Sequence, residues 1–229
     1  MALVLPLSDH KLDLKATNAI ISNAQSREKC LKIVQYIAKL LAYCMIQSNG
    51  GKKTDWSKHY DALAKQLSLA RRCFKFLRWL KHFEDIAEAR AEKDKKFGKW
   101  LLLDVGCNLV ADISEDICSL EKVGVLSKGI LPARFEYYAN WSQLVLAVVE
   151  IFVSKVKYQR AAEKASKDSA VAVQRKHKMA FLEFTKFIAD LVKAFWDCEL
   201  SFASEFAFCI SGLYAAVMST HKYALRVLK

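Results

Sequence analysis

The strongest hydrophobic–polar pattern in the chain lies at residues 67–86, "LSLARRCFKFLRWLKHFEDI". At 100° per residue, Arg71, Lys75, Arg78 and His82 form one ridge along a helix. Leu69, Cys73, Phe76, Leu80 and Phe83 line the opposite side, widened by Ala70, Phe74 and Leu77. Trp79 falls at the boundary, where a ring with one polar handle is commonly placed. Glu84, Asp85 and Glu88 rotate back onto the apolar side, so the two-faced helix is expected to end near Phe83. Two readings fit this pattern: a packing helix of a bundle, or a helix lying on an anionic lipid surface. Three basic residues near such a surface contribute about 3 kcal/mol, and sinking several large side chains adds several more, which makes the second reading energetically sufficient.

The same periodicity marks other helices. Residues 26–47, "SREKCLKIVQYIAKLLAYCMIQ", place Cys30, Ile33, Val34, Ile37, Leu41 and Cys44 on one face, and "SNGG" (48–51) ends the element. Thr54–Asp55 opens a long helix through the stretch above, followed by a charged segment at 88–99. Residues 100–126 read as a helix, apolar first and acidic later, ending at Gly124 or Gly129. After Pro132 comes an apolar run at 135–153, then a basic stretch at 155–178 expected to be helical and solvated. Two prolines, seven glycines and no sustained alternation argue against strands. The expected fold is all-α: a membrane-associated helical bundle with an amphipathic surface helix and one or two hydrophobic membrane helices. It is read as one domain, with an amphipathic region at 1–99 and hydrophobic helices at 100–229.

About twenty apolar residues cross a bilayer as a helix. Residues 202–220 are the strongest such candidate, with Glu205 near one end and His221, Lys222, Arg226 and Lys229 beyond the other. Residues 135–153 are weaker, since Glu150 lies near their basic end. The N-terminal "MALVLPLSDH" lacks a basic region and is interrupted by Pro6, so it is not expected to be a signal peptide.

Composition sharpens the lipid reading. A chain that is 53% hydrophobic and carries a net charge of +12 suits an anionic partner that also accepts apolar surface. The seven scattered cysteines form no C-x-x-C and read as free thiols of a reducing compartment. No phosphate-binding glycine loop, hydrolase elbow or metalloprotease motif occurs, so neither enzyme nor cofactor is expected. Asp112, Glu115 and Asp116 in "VADISEDI" share a helix face but lack a nearby histidine, and are read as a solvated face. The histidines are read as surface residues. Nucleic acid is disfavoured, because Asn and Gln are sparse beside the basic ridge.

Four blocks then resemble one family in order and spacing: "REKCLKIVQYIAKLL" (27–41), "LSLARRCFKFLRWLKHFEDI" (67–86), "LEKVGVLSKG" (120–129) and "FCISGLYAAVMSTHK" (208–222). The chain resembles the peroxin-11 family. That resemblance implies a peroxisomal (or glycosomal) membrane protein that elongates the organelle before fission, with cytosolic termini. It also implies homo-oligomers and contact with fission factors, a dynamin-related GTPase and its adaptors. The family's membrane-deforming helix maps onto residues 67–83. Arg71, Lys75, Arg78 and His82 become the candidates for anionic lipid head groups. Leu69, Phe76, Leu77, Leu80 and Phe83, with Trp79, become the inserting face. The acids at 84–88 and Glu205 depart from that picture. A second class of function stays open: a pore for small solutes, with Glu150, Glu205, Asn140 and Gln143 facing inward.

Overall fold

The computed structural model describes residues 24–227. The segment 1–10, the last two residues and the orientation of the two termini lie outside the described residues. The described chain is α-helical without strands. It comprises α1 (Ala24–Ser48), α2 (Asp55–Lys75), a 3-10 turn (Arg78–Lys81), α3 (His82–Arg90), α4 (Lys95–Val123), α5 (Phe135–Lys167), α6 (Val171–Asp197) and α7 (Glu205–Val227).

Local chemistry sets the boundaries. The Thr54 hydroxyl accepts from the Ser57 amide at 3.1 Å and starts α2. Asp94 does the same for α4, accepting from the Lys96 and Phe97 amides at 2.9 and 3.3 Å. Gly124, at φ 88°, turns the chain out of α4 in a conformation other residues seldom adopt. The basic stretch 155–178 is not one helix: α5 ends at Lys167, and α6 begins only at Val171. The apolar run 202–220 also starts late, since Phe202 and Ala203 belong to the turn before Glu205.

That late start changes the span assignment. Among the described residues, Gln25–Ser48 and Phe135–Lys167 are long and apolar enough to cross a bilayer. The closing helix α7 is not, because Glu205 opens it and His221 and Lys222 sit in its last turns. Instead α7 packs inside the protein through Phe208, Cys209, Ala215 and Ala216.

The helices form a closed ring. In order around it, α1 packs on α2, α2 on α4, α4 on α5, α5 on α6, α6 on α7, and α7 back on α1. What the ring encloses includes an unusual number of charged groups beside its apolar patches. Helix α1 shows this most clearly: Glu28, Lys32 and Gln35 are buried with Tyr36, while Val34, Ile37 and Leu41 face outward at 40–48% exposure. The apolar face anticipated for α1 is therefore its outer face. Its inner one is a stripe of charge. Helix α5 also turns Val145, Val148 and Phe152 outward, but its buried side is apolar, with Leu144, Leu146, Val149 and Val153. The outward apolar residues of α1 and α5 suit contact with lipid along those two helices.

Apolar packing within the ring is confined to small patches. One of them locks α1 to α7: Tyr36 meets Phe208 edge-on at 5.7 Å between centroids, over Cys209 and Ala216. Gly212 allows this crossing, since any Cβ there would collide with the Tyr36 ring. Tyr36 is buried and has nowhere to retreat. Gly212→Ala is therefore expected to cost about 1–3 kcal/mol and lower the melting temperature of the micelle-bound chain by several degrees. Circular dichroism would measure it, and Tyr36→Leu in the same chain should recover part of the loss.

Candidate functional site

The signature stretch 67–86 does not form one helix. Helix α2 stops at Lys75; Phe76 is extended (φ −52°, ψ 138°), and Leu77 adopts the left-handed conformation at φ 61°. A 3-10 turn and α3 follow. A leucine at positive φ costs on the order of 1–2 kcal/mol, so something must hold it there. The Leu77 amide donates to the Asp116 carboxylate at 2.9 Å. The break thus follows from long-range contacts with α4, which a single-helix periodicity cannot register.

Those contacts form a zipper. The Arg72 guanidinium donates to the Ser119 hydroxyl at 3.1 Å, and the Lys75 ammonium donates to both Glu115 oxygens at 2.8 and 3.0 Å. Arg78 donates twice to Asp112, at 2.8 and 3.1 Å, while the His82 ring lies 3.0 Å from Asp112 and 3.1 Å from Asp85. Arg71, one turn earlier, turns toward α1 and meets Glu28 at 2.6 Å and Gln35 at 2.5 Å. The expected single ridge is therefore split: Lys75, Arg78 and His82 face acids on α4, while Arg71 faces Glu28 on α1. Asp112, Glu115 and Asp116 are not a solvated face: Asp112 and Asp116 are buried, and all three receive this segment.

On the other side stands an apolar ledge. Phe76, Leu77, Leu80 and Phe83 are 43–57% exposed, and Phe74 extends the patch at 44%. Trp79 is half-buried against Phe83, with ring centroids 6.3 Å apart, and Leu69 is half-buried on α2. The expected inserting face therefore does point outward, on a kinked support.

Inside the ring lie two chambers, of about 1070 and 390 Å³. Both are bordered by Lys29, Arg78, Asn108, Glu150, Lys186 and Ser219, so these six residues form the waist between them. Asn140 and Gln143 line the smaller one, whereas Glu205 is exposed at the start of α7 and lines neither. His221 is buried rather than on the surface.

A family model, Peroxisomal biogenesis factor 11 (PEX11), matches residues 14–224 of the 229. The chain belongs to this family. No curated protein and no solved structure matches it. PEX11 membership makes it a peroxisomal membrane protein concerned with peroxisome proliferation, in a family of biogenesis factors rather than enzymes.

For this PEX11 chain the partners of the basic ridge are what sequence reading missed. Their signal is present in retrospect. Arg72, Lys75 and Arg78 recur at three-residue spacing, and Asp112, Glu115 and Ser119 recur at three and four on an antiparallel neighbour. Likewise Glu28, Lys32 and Gln35 make a polar stripe along an otherwise apolar helix.

The zipper sets a pH response. Burial raises the Glu115 carboxyl, but the Lys75 ammonium against it prevails and holds it well below the usual carboxylate range. Asp112 is likewise pushed up by burial and brought down further by Arg78 and His82, ending low. Asp116 runs the other way: burial raises it, against the Leu77 hydrogen bond, and the neighbouring carboxylates add to the rise. Groups with depressed values stabilise the fold above the ordinary carboxylate range, about pH 4, and lose that contribution as the pH falls further. Protonation of Asp116 relieves only part of the loss. The zipper is expected to open on acidification below about pH 4, and Asp112→Asn to loosen it at neutral pH by about 2 kcal/mol. Hydrogen exchange of the 76–83 amides would detect both, with the α1–α7 crossing as an internal reference.

Proposed function

We propose that this protein elongates the peroxisomal membrane by lodging the ledge of residues 67–83 in one leaflet. The observation that carries the reading is the ledge itself: Phe76, Leu77, Leu80 and Phe83 stand half-exposed on a kink that α4 grips from behind. Leu69 and Trp79, half-buried, flank them. A wedge on one side of a bilayer enlarges that leaflet and favours curvature. Because the zipper holds the wedge to the ring, insertion would strain the whole protein rather than a loose helix. Arg71, Lys75, Arg78 and His82 would meet anionic head groups by exchanging their acids for phosphates, with exposed Lys81 making the first contact. The outward faces of α1 and α5 are apolar enough to pack against lipid or a second copy, and self-assembly would concentrate wedges along a tubule. A dynamin-related GTPase and its adaptors would then act on the elongated organelle.

The test uses the full chain reconstituted with anionic vesicles. Replacing Phe76, Leu80 and Phe83 by Ser removes about 3 kcal/mol of insertion, so the wedge should weaken about 100-fold and tubules seen by electron microscopy should vanish. Helicity should hold, since all three side chains are exposed. Tubules surviving the triple substitution would sink the wedge.

A second reading has an observation of its own. The adjoining chambers inside the ring are the form a solute pore would take, with Asn140, Gln143 and Glu150 on its wall and Glu205 outside it. Glu150→Gln at the waist is expected to change solute flux from loaded vesicles severalfold while leaving tubulation alone. Flux indifferent to that change speaks against a pore through this ring.

A further inference from the structure

The smaller chamber is unbalanced in charge. Ten lysines and arginines line it against six aspartates and glutamates, and Glu28 behind the wall adds one more acid. Several acids already serve two cations. Glu28 takes both Lys29 and Arg71, at 2.7 and 2.6 Å. Asp190 takes Lys186 at 3.1 Å and Lys32 at only 3.7 Å. Two further cations have no carboxylate within pairing distance among the described residues. Arg72 donates to the Ser119 hydroxyl alone, and the Lys39 ammonium stands 4.5 Å over the Phe208 ring. Like charges gathered in a partly open, partly desolvated space repel unless a counter-charge joins them. The donors come from the neighbouring helices α1 and α2 and from α6, which lies farther round the ring.

We propose that this chamber binds a phosphate-class polyanion, held by Lys32, Lys39 and Arg72 with Lys29 and Lys186 beside them. Its volume, about 390 Å³, is at the lower end for small-ligand sites, about 300–1,000 Å³, and suits a diphosphate or a phosphomonoester head group. Arginine supplies a planar fork for phosphate oxygens, and the lysines supply point charges that adapt to its position. Binding ties α1, α2 and α6 through one ligand and so stabilises the ring. The inference uses none of the outward apolar side chains of the ledge, although Arg72 also belongs to the zipper behind it.

The experiment takes the full chain in phosphatidylcholine vesicles, where nothing anionic competes and no tubulation is required. Inorganic pyrophosphate is titrated by calorimetry and by thermal unfolding, with potassium chloride at matched ionic strength as the screening control. In a parallel arm, phosphatidic acid replaces a tenth of the lipid and pyrophosphate is omitted. Lys39→Gln with Arg72→Gln is the decisive variant, because neither residue leaves an unpaired acid behind. The expected result has two parts: loss of the rise in melting temperature on adding pyrophosphate, and a loss of at least tenfold in pyrophosphate affinity. The exposed pair Lys58→Gln with Lys65→Gln should do neither. Stabilisation by phosphatidic acid alone, sensitive to the first variant, assigns the site to a lipid head group rather than a soluble solute. Absence of both responses, or responses untouched by the first variant, overturns the proposal.

Discussion

The Asp112 carboxylate receives the Arg78 guanidinium at two points and faces the His82 ring at a third, and that meeting decides which side of residues 74–83 looks outward. A guanidinium and a carboxylate engaged in this paired geometry are hard to separate in a partly desolvated setting, because each would be left without its counter-charge. With Arg78 fixed inward, the neighbouring phenylalanines and leucines have no interior left to enter. Lys75 on Glu115 and the Leu77 amide on Asp116 repeat the logic on either side. Exposure of the ledge is thus a consequence of polar pairing behind it. Oil has not simply been left over at the surface.

Much of this fold could be read from the chain. Thr54 and Gly124 announced their helix ends, because capping is a local matter between a side chain or a φ angle and the next few residues. The two sides of 67–86 were equally visible, since periodicity requires only the spacing of residue types. What periodicity leaves undetermined is which side is the inside. In water the apolar face would be the answer; in this ring it is the basic one, as α1 also shows with Glu28 and Gln35 buried and Ile37 outward. The break at Leu77 was hidden for another reason. It depends on Asp116, thirty-nine positions away, and no local preference of leucine suggests a left-handed backbone. The basic run after residue 153 hid its break at 168–170 in the same way, behind a composition that suits helix throughout.

Buried ion pairs and exposed ones divide the sensitivity of the protein to its surroundings. Ion pairs such as Arg71–Glu28 lie where dissolved salt reaches them poorly, and those on the rim, such as Lys65–Asp61, lie where salt screens them. The ring can therefore keep its shape while its periphery exchanges partners freely. That division suits a protein whose neighbours are lipids of changing composition, and it is consistent with membership of a family of membrane biogenesis factors.

Helix α5 carries a geometric consequence of its own. Its 33 residues rise about 50 Å, whereas the hydrocarbon of a bilayer is about 30 Å deep. Its first eighteen or so residues match that depth in apolar character; its last half-dozen include Lys164 and Lys167. A helix so built is a gauge. Across such a bilayer its basic end would stand in water, and the rigid rod would then set how deep the rest of the ring could sit.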